Sequence, residues 1–248
     1  MIGLLAVTAF LAGTVDAIAG GGGLITLPAL LAAGLPPHVA LGTNKGQSVW
    51  GSGAALAAFW RAGRIDRVQA AFAFPIALVG ATIGAELLLL VDREALRPIV
   101  IAMLIGAAGL LLIRKPARAD DEATGDRARR YLVLACLLAL VIGMYDGFFG
   151  PGTGTFLIVG FVALCGKSLT RATADAKVVN FGSNLASVIA FSFAGTIAWQ
   201  VALPMAAGQL AGGVVGARLA IRGGARLIRV AVLIVSGALI AKLVLDLV

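Results

Sequence analysis

Charge is scarce in this sequence: Asp, Glu, Lys and Arg make up only 13% of its 248 residues, while the apolar set makes up 60%. An ordinary globular domain carries about 25% charged residues and is about half apolar. With a mean hydropathy of +1.01, the chain has no room for a soluble enzyme domain beside its apolar stretches. Histidine is nearly absent too. The one residue, His38, follows two prolines in a turn and cannot build a zinc site by itself. The two cysteines, Cys136 and Cys165, form no CxxC pair and read as structural thiols rather than a redox or metal centre. No metal and no cofactor is expected. The first apolar run has no basic stretch before it, so it is expected to stay in the membrane rather than be cleaved as a signal peptide.

What is present is one apolar run after another, each near the length of about 20 residues that crosses a bilayer core. The net charge of +8 would suit a nucleic-acid partner, but the Lys and Arg residues fall in short loops between apolar segments. That placement is a topological bias of membrane proteins. The expected partner is the lipid bilayer, not nucleic acid.

The sequence is duplicated. Gly13-Thr14-Val15-Asp16, followed by Gly20, Gly21, Gly22 and Gly23, recurs as Gly143-Met144-Tyr145-Asp146, followed by Gly150, Pro151, Gly152, Thr153 and Gly154. Asp16 and Asp146 are thus equivalent at a shift of 130. Beyond the turn the shift becomes 132, pairing Lys45 with Lys177, Ser52 with Asn184, and Gly80 and Gly84 with Gly212 and Gly216. Residues 1–113 form one repeat, the polar stretch 114–130 a cytoplasmic linker, and 131–248 the second repeat.

Apolar segments are expected at about 2–18, 24–34, 39–60, 68–90 and 95–113, then at 131–148, 154–165, 172–194, 197–218 and 224–246. The second segment of each half, at roughly 16–18 Å, is too short to span unaided. It forms a glycine-broken hairpin or re-entrant unit with the helix before it, leaving three transmembrane helices per half. If each hairpin returns to its starting side, Arg61, Arg64, Arg67, the linker, Lys167, Arg171, Arg218, Arg222, Arg226 and Arg229 all face the cytoplasm, leaving only Arg93, Arg97 and Lys242 outside. The fold class is therefore all-α, a polytopic membrane protein of two inverted repeats.

Backbone freed by a glycine run at membrane depth has to be buried in protein or line a wet cavity. Each run precedes a short helix, whose free N–H groups and positive dipole end suit an anion; Thr26, Thr153 and Thr155 add hydroxyl donors. The alternative is that the glycines only permit tight turns and close packing. Lys45 and Lys177 carry the sharper signal, because an ammonium at the bilayer centre costs at least about 2.5–3.5 kcal/mol. Asn44, Ser48 and Ser52 accompany Lys45. Asn180, Asn184 and Ser187 follow Lys177 at helical spacing. A cation with amide and hydroxyl donors can replace the water shell of a small oxyanion. In the alternative, each lysine neutralises an aspartate such as Asp16 or Asp146, or snorkels to the interface. The two aspartates can also gate proton movement or cap the glycine turns.

The run from Gly13 to Pro28, the Gly-Thr-Asn-Lys stretch ending at Lys45, and the run from Gly143 to Gly154 resemble the TauE/SafE sulfite exporter family over nearly the whole chain. The resemblance implies a multi-pass transporter of sulfite, sulfonates and related sulfur-containing anions in the bacterial cytoplasmic membrane, not an enzyme. It points to the glycine turns, Asn44, Lys45, Lys177 and Asn180 as the site. The second half departs from the pattern, having Asp175-Ala176-Lys177 in place of Thr-Asn-Lys. Two rivals remain: an anion channel using the same residues, and an intramembrane aspartyl protease, whose Gly-x-Gly-Asp motif is missing here.

Overall fold

A backbone in hydrocarbon has to satisfy its own N–H and C=O groups, and apolar runs of this length do so as helices. The computed structural model describes residues 1–92, 94–95 and 126–247, and all regular structure in them is helical. The first half contributes α1 (Ile2–Ala19), α2 (Gly23–Ala32), α3 (Pro37–Arg61) and α4 (Arg67–Leu89). The second contributes α5 (Asp126–Phe148), α6 (Thr153–Cys165), α7 (Leu169–Phe193) and α8 (Trp199–Leu247). The expected segment 95–113 from residue 96 onward, residues 114–125 of the linker, Arg93 and Arg97 lie outside the described residues, as do the side chains of Arg127, Arg229 and Lys242.

Element boundaries follow local chemistry. Helix α1 stops at Gly20, whose left-handed φ of 82° lets its N–H close back on the Asp16 carbonyl. Helix α3 starts on Pro37, whose fixed φ and missing N–H suit a first helical position. The chain leaves the expected linker earlier than the hydropathy suggests, since α5 begins at Asp126. An acid followed by Arg and Ala is a good helix opening even where it is too polar for the bilayer core. Helix α8 is two helical stretches joined across a kink at the non-helical Gly224 (φ 57°, ψ −156°), one residue past the break expected at 219–223.

Among the described residues three helices, Ile2–Ala19, Arg67–Leu89 and residues Ala128–Phe148, are long and apolar enough to cross a membrane. Their outer faces carry exposed Leu4, Val7 and Leu11, then Phe72, Val79 and Ile83, then Val133, Leu137 and Val141. Lipid is the solvent for such a surface. Helices α3 and α7 are the reverse. They lie inside the bundle and bury Thr43, Asn44, Lys45, Gln47 and Ser52 on one, and Asp175, Lys177, Asn180, Ser183 and Asn184 on the other. The short helices α2 and α6 have 10 and 13 residues, about 15 and 20 Å long.

Packing crosses between the halves. Helix α1 lies along α8, where Gly208, Gly212 and Gly216 sit against the backbone of Ala6, Phe10 and Thr14. Helix α5 lies along α4, where Gly80 and Gly84 sit against Leu140 and Met144. Gly80 and Gly84 are the repeat counterparts of Gly212 and Gly216, so one close-packed contact is built twice with the halves exchanged. Small residues at such crossings let backbones approach where no hydrophobic force separates helix from lipid. Helices α3 and α7 run in opposite directions. The Asp66 N–H, just past the end of α3, donates to Asp175 near the start of α7, and the Ala198 N–H, just past the end of α7, donates to Thr43 near the start of α3.

Candidate functional site

The two glycine turns meet in the middle of the bundle. Thr155 at the start of α6 donates its N–H to the Gly20 carbonyl (3.2 Å) and its hydroxyl to the Ala19 carbonyl (2.8 Å). The α-carbons there are so close that a Cβ on Gly20 would overlap the backbone of Gly154, and one on Gly154 would overlap Gly20. Beside this crossing lies a cavity of about 20 Å³, lined by Asp16, Gly20, Gly23, Asn44, Lys45, Ser48, Asp146, Gly150, Thr153, Gly154, Asn180 and Asn184. These residues come from both halves and include most of the positions singled out from sequence.

Four of those positions do not line it. Lys177 is fully buried and reaches the site through Asp16, whose backbone carbonyl accepts from Nζ and whose carboxylate lies 3.6 Å away. Gly22 acts through its N–H, which donates to Asp16 Oδ1 at 3.3 Å. Gly21 offers its carbonyl to Leu24 within the turn, and Gly152 faces Phe156 and Leu24. Ser52 and Ser187, both on the expected polar stripes, spend their hydroxyls on their own helix backbones.

Each lysine finds an aspartate of the other half. Lys45 Nζ lies 2.7 Å from Asp146 Oδ1, with both side chains at most 3% exposed. The Lys177–Asp16 pair is its repeat counterpart. The sequence left open whether the lysines serve an anion or neutralise aspartates; in this conformation they are paired. Bringing two charges out of water is offset only when geometry and extra hydrogen bonds are good, and Asp146 has both. Its Oδ1 also accepts from Thr153 Oγ1 (2.7 Å) and its Oδ2 from Ser183 Oγ (2.5 Å). Asp16 is held less firmly. Its side chain is 18% exposed, and its other donors, Gly22 N and Asn180 Nδ2, are each 3.3 Å away.

Each carboxylate therefore sits at the mouth of the short helix that follows it, against a lysine of the opposite half. That is the place a helix N-terminus and a cation prepare for an anion. The amides are set in the same sense. Asn44 Oδ1 accepts from Thr26 Oγ1 (2.5 Å) and Gln47 Nε2 (3.0 Å), which leaves the Asn44 NH₂ group near Gly23 and the cavity as a donor. Asn184 Nδ2 donates to Asn180 Oδ1 (2.8 Å), and that fixes Asn180 with its own NH₂ turned toward Asp16. A volume of this size holds about one water, so a polyatomic anion needs the halves to part or the carboxylates to move.

Ser183, Gln47 and Tyr145 were not singled out from sequence. Ser183 lies three residues after Asn180 on the same face of α7, which is a signal that helical spacing could have given. Tyr145, whose hydroxyl donates to the Pro151 carbonyl at 2.6 Å, braces the second glycine turn. Among the described residues no group of His, Cys, Asp and Glu could hold a metal ion.

Comparison with known proteins gives this geometry a setting. The family described as Sulfite exporter TauE/SafE matches residues 5–243. A Sinorhizobium protein named probable membrane transporter protein ORF9 is 42% identical over 249 residues, covering 99% of this chain and 93% of its own length. A probable membrane transporter protein of Haemophilus influenzae is 40% identical over 248 residues, covering 99% and 95%. The probable membrane transporter protein YfcA of Escherichia coli K12 is 39% identical over 248 residues, covering 99% and 90%. No solved structure matches the chain.

Proposed function

The chain belongs to the TauE/SafE sulfite exporter family, a membrane transporter family by its relatives' names, and from that premise we propose that it carries a small oxyanion across the bacterial cytoplasmic membrane. Sulfite, a sulfonate or a related sulfur-containing oxyanion fits best, because each offers several acceptor oxygens to lysine, amide and backbone donors. The observation that carries this reading is the pair of crossed Lys–Asp contacts, each at the N-terminus of a short helix and both beside one polar cavity.

The mechanism is alternating access between two inverted repeats, residues 1–113 and 131–248, joined by the linker 114–130. The opposed directions of α3 and α7 and the exchanged packing of α1 on α8 and α4 on α5 support it. Transporters of inverted design bind substrate near the midplane at discontinuous helices. The basic loops bearing Arg61, Arg64 and Arg67 share one end of the bundle with Lys167, and that end faces the cytoplasm.

Two lysines and two aspartates give the site no net charge, so a singly charged anion such as a sulfonate or hydrogen sulfite entering alone would leave a buried excess of one negative charge. A proton entering with it removes that excess. The carboxyl that takes the proton releases its lysine to the anion, and Asp16, the looser and more exposed of the two, is the residue for this role. Proton-coupled transport follows, in place of a passive channel.

The test is flux of labelled sulfite and a panel of sulfonates and carboxylates into proteoliposomes, with and without a pH gradient. Wild type should accumulate a sulfur oxyanion against its gradient when a pH gradient is imposed, and folded Lys45→Ala and Lys177→Ala variants should not. Flux that only runs downhill would favour a channel, and undiminished flux in both variants would rule out the lysine site.

A further inference from the structure

The repeat continues into the loops at the two ends of the bundle, where it seats the halves against each other. Gly63 and Gly195 occupy equivalent places after α3 and α7, with φ of 64° and 65°. The next residues repeat the same closure: the Arg64 N–H donates to the Phe59 carbonyl (3.1 Å) and the Thr196 N–H to the Phe191 carbonyl (3.0 Å). Two residues further on, each loop docks on the other half. The Asp66 N–H donates to Asp175 Oδ1 at 2.9 Å, and its counterpart, the Ala198 N–H, donates to Thr43 Oγ1 at 3.0 Å. Asp66 matches Ala198 and Asp175 matches Thr43 at the same shift of 132.

At one end this seat is ionic. Lys167, following the left-handed Gly166, places Nζ 2.5 Å from Asp175 Oδ2 and 3.1 Å from Asp66 Oδ2. Asp175 is 2% exposed and Lys167 13%. Asp66 belongs to the first half, Lys167 and Asp175 to the second. At the other end the counterpart of Lys167 is Leu35, following the left-handed Gly34. Leu35 packs against an apolar cluster that includes Leu41, Phe191 and Ile197. The same seat is thus built twice, charged at the basic end and neutral at the other.

We propose that Asp66, Lys167 and Asp175 form an ionic clasp between the halves that holds the basic end closed, and that the Ala198, Thr43 and Leu35 seat is its neutral counterpart at the opposite end. Parting the halves at the basic end separates Lys167 from Asp66 and takes the Asp66 N–H away from the buried Asp175 carboxylate. Removing a partner from a buried ionic group is costly. Parting them at the other end breaks a hydrogen bond between neutral groups, weaker than one to a carboxylate, and uncovers Leu35, which is already partly exposed. A difference between two otherwise symmetric openings sets which side the resting protein shows, since any such energy shifts the population of two states directly. The proposal rests on the alternating-access reading above and goes beyond it by assigning the residues that make the two sides unequal.

The test reads access rather than flux, so it does not depend on the substrate. Full-length protein with Cys136→Ala and Cys165→Ala carries one reporter cysteine, Ser48→Cys, in the central cavity. It is reconstituted in one orientation and treated with an impermeant maleimide from either side. Neutralising the clasp with Lys167→Gln plus Asp175→Asn should raise labelling from the basic end on the order of tenfold, the change that about 1.4 kcal/mol produces in an equilibrium. Labelling from the opposite side should fall. Asp66→Asn keeps a residue type able to cap α4 and should give a smaller change of the same sign, so it serves if the double variant does not fold. Folded variants that label at the wild-type rate from both sides would overturn the clasp. Wild type labelled equally fast from both sides would also overturn it, whereas variants whose labelling rises from both sides together would overturn alternating access, which separates the two failures.

Discussion

Lys45 of the first half lies 2.7 Å from Asp146 of the second, while the repeat-equivalent pair, Lys177 and Asp16, is separated by 3.6 Å. Two contacts that the duplication makes equivalent are therefore unequal in this conformation. The tight one is saturated with hydroxyl donors; the loose one has a partly exposed carboxylate. Exchanging these two conditions between the halves is what an alternating transporter of inverted design would do in one cycle.

Removing the Lys45 ammonium alone leaves Asp146 buried and uncompensated. Lys45→Met should cost about 3–5 kcal/mol of stability, and adding Asp146→Asn should restore most of it. Thermal unfolding in detergent of the two single variants and the double reads the coupling. The stable double variant should still fail to transport.

The two aspartates should differ. Asp16→Asn should destabilise less than Asp146→Asn and lose the dependence of flux on a pH gradient, because its carboxylate lies farther from its lysine and is partly exposed. Asp146→Asn should lower the unfolding temperature, since Lys45 then lacks its closest counterion. Equal effects of the two substitutions on flux and stability would refute the assigned division of roles.

The crossing of the glycine turns leaves no room for a methyl group. Gly20→Ala also imposes a side chain on a left-handed residue, so it and Gly154→Ala should each destabilise by about 1–3 kcal/mol. Gly3→Ala, where nothing lies within 4 Å, is the control and should stay within about 0.5 kcal/mol of wild type. Differential scanning of the purified variants compares them.

Asp66 gives the protein an acid-sensitive contact outside the membrane-spanning helices. Burial pushes its carboxyl up, but the backbone N–H groups of Gln69 and Val68 and the Lys167 ammonium outweigh that and hold it below the ordinary carboxylate value. A carboxyl depressed on folding adds stability that is fully present above the unfolded value, about 3.9, and is lost as pH falls through the folded one. Wild type should lose stability below about pH 4 more steeply than Asp66→Asn, and unfolding curves at a series of pH values would show it.

Sidedness can be read directly. With both native cysteines replaced, Arg64→Cys and Gln200→Cys place thiols at exposed positions on opposite ends of the bundle. An impermeant thiol reagent applied to intact cells should label position 200 and spare position 64. Labelling of position 64 alone would invert the proposed topology.

The sequence by itself determined the membrane class, the duplication, the described helices to within about five residues and the residue types of the candidate site. All of these are local or periodic properties. Apolar runs are set by the thickness of lipid, the glycine turns by backbone geometry, and the repeat by its constant spacing. Even the cost of an intramembrane lysine could be stated without a structure, and it showed that Lys45 and Lys177 needed partners. Which aspartate each lysine takes was decided only by the tertiary structure. The partners lie far apart in the chain, and their choice depends on the direction of α3 against α7 and on the exchange of α1 and α5 between the halves. The same packing turned Ser52 and Ser187 toward their own helices, brought in Ser183, and set Asp66 against Lys167 and Asp175. No spacing within one half encodes the pairs Lys45–Asp146, Lys177–Asp16 and Lys167–Asp66, because they exist only where the two halves meet.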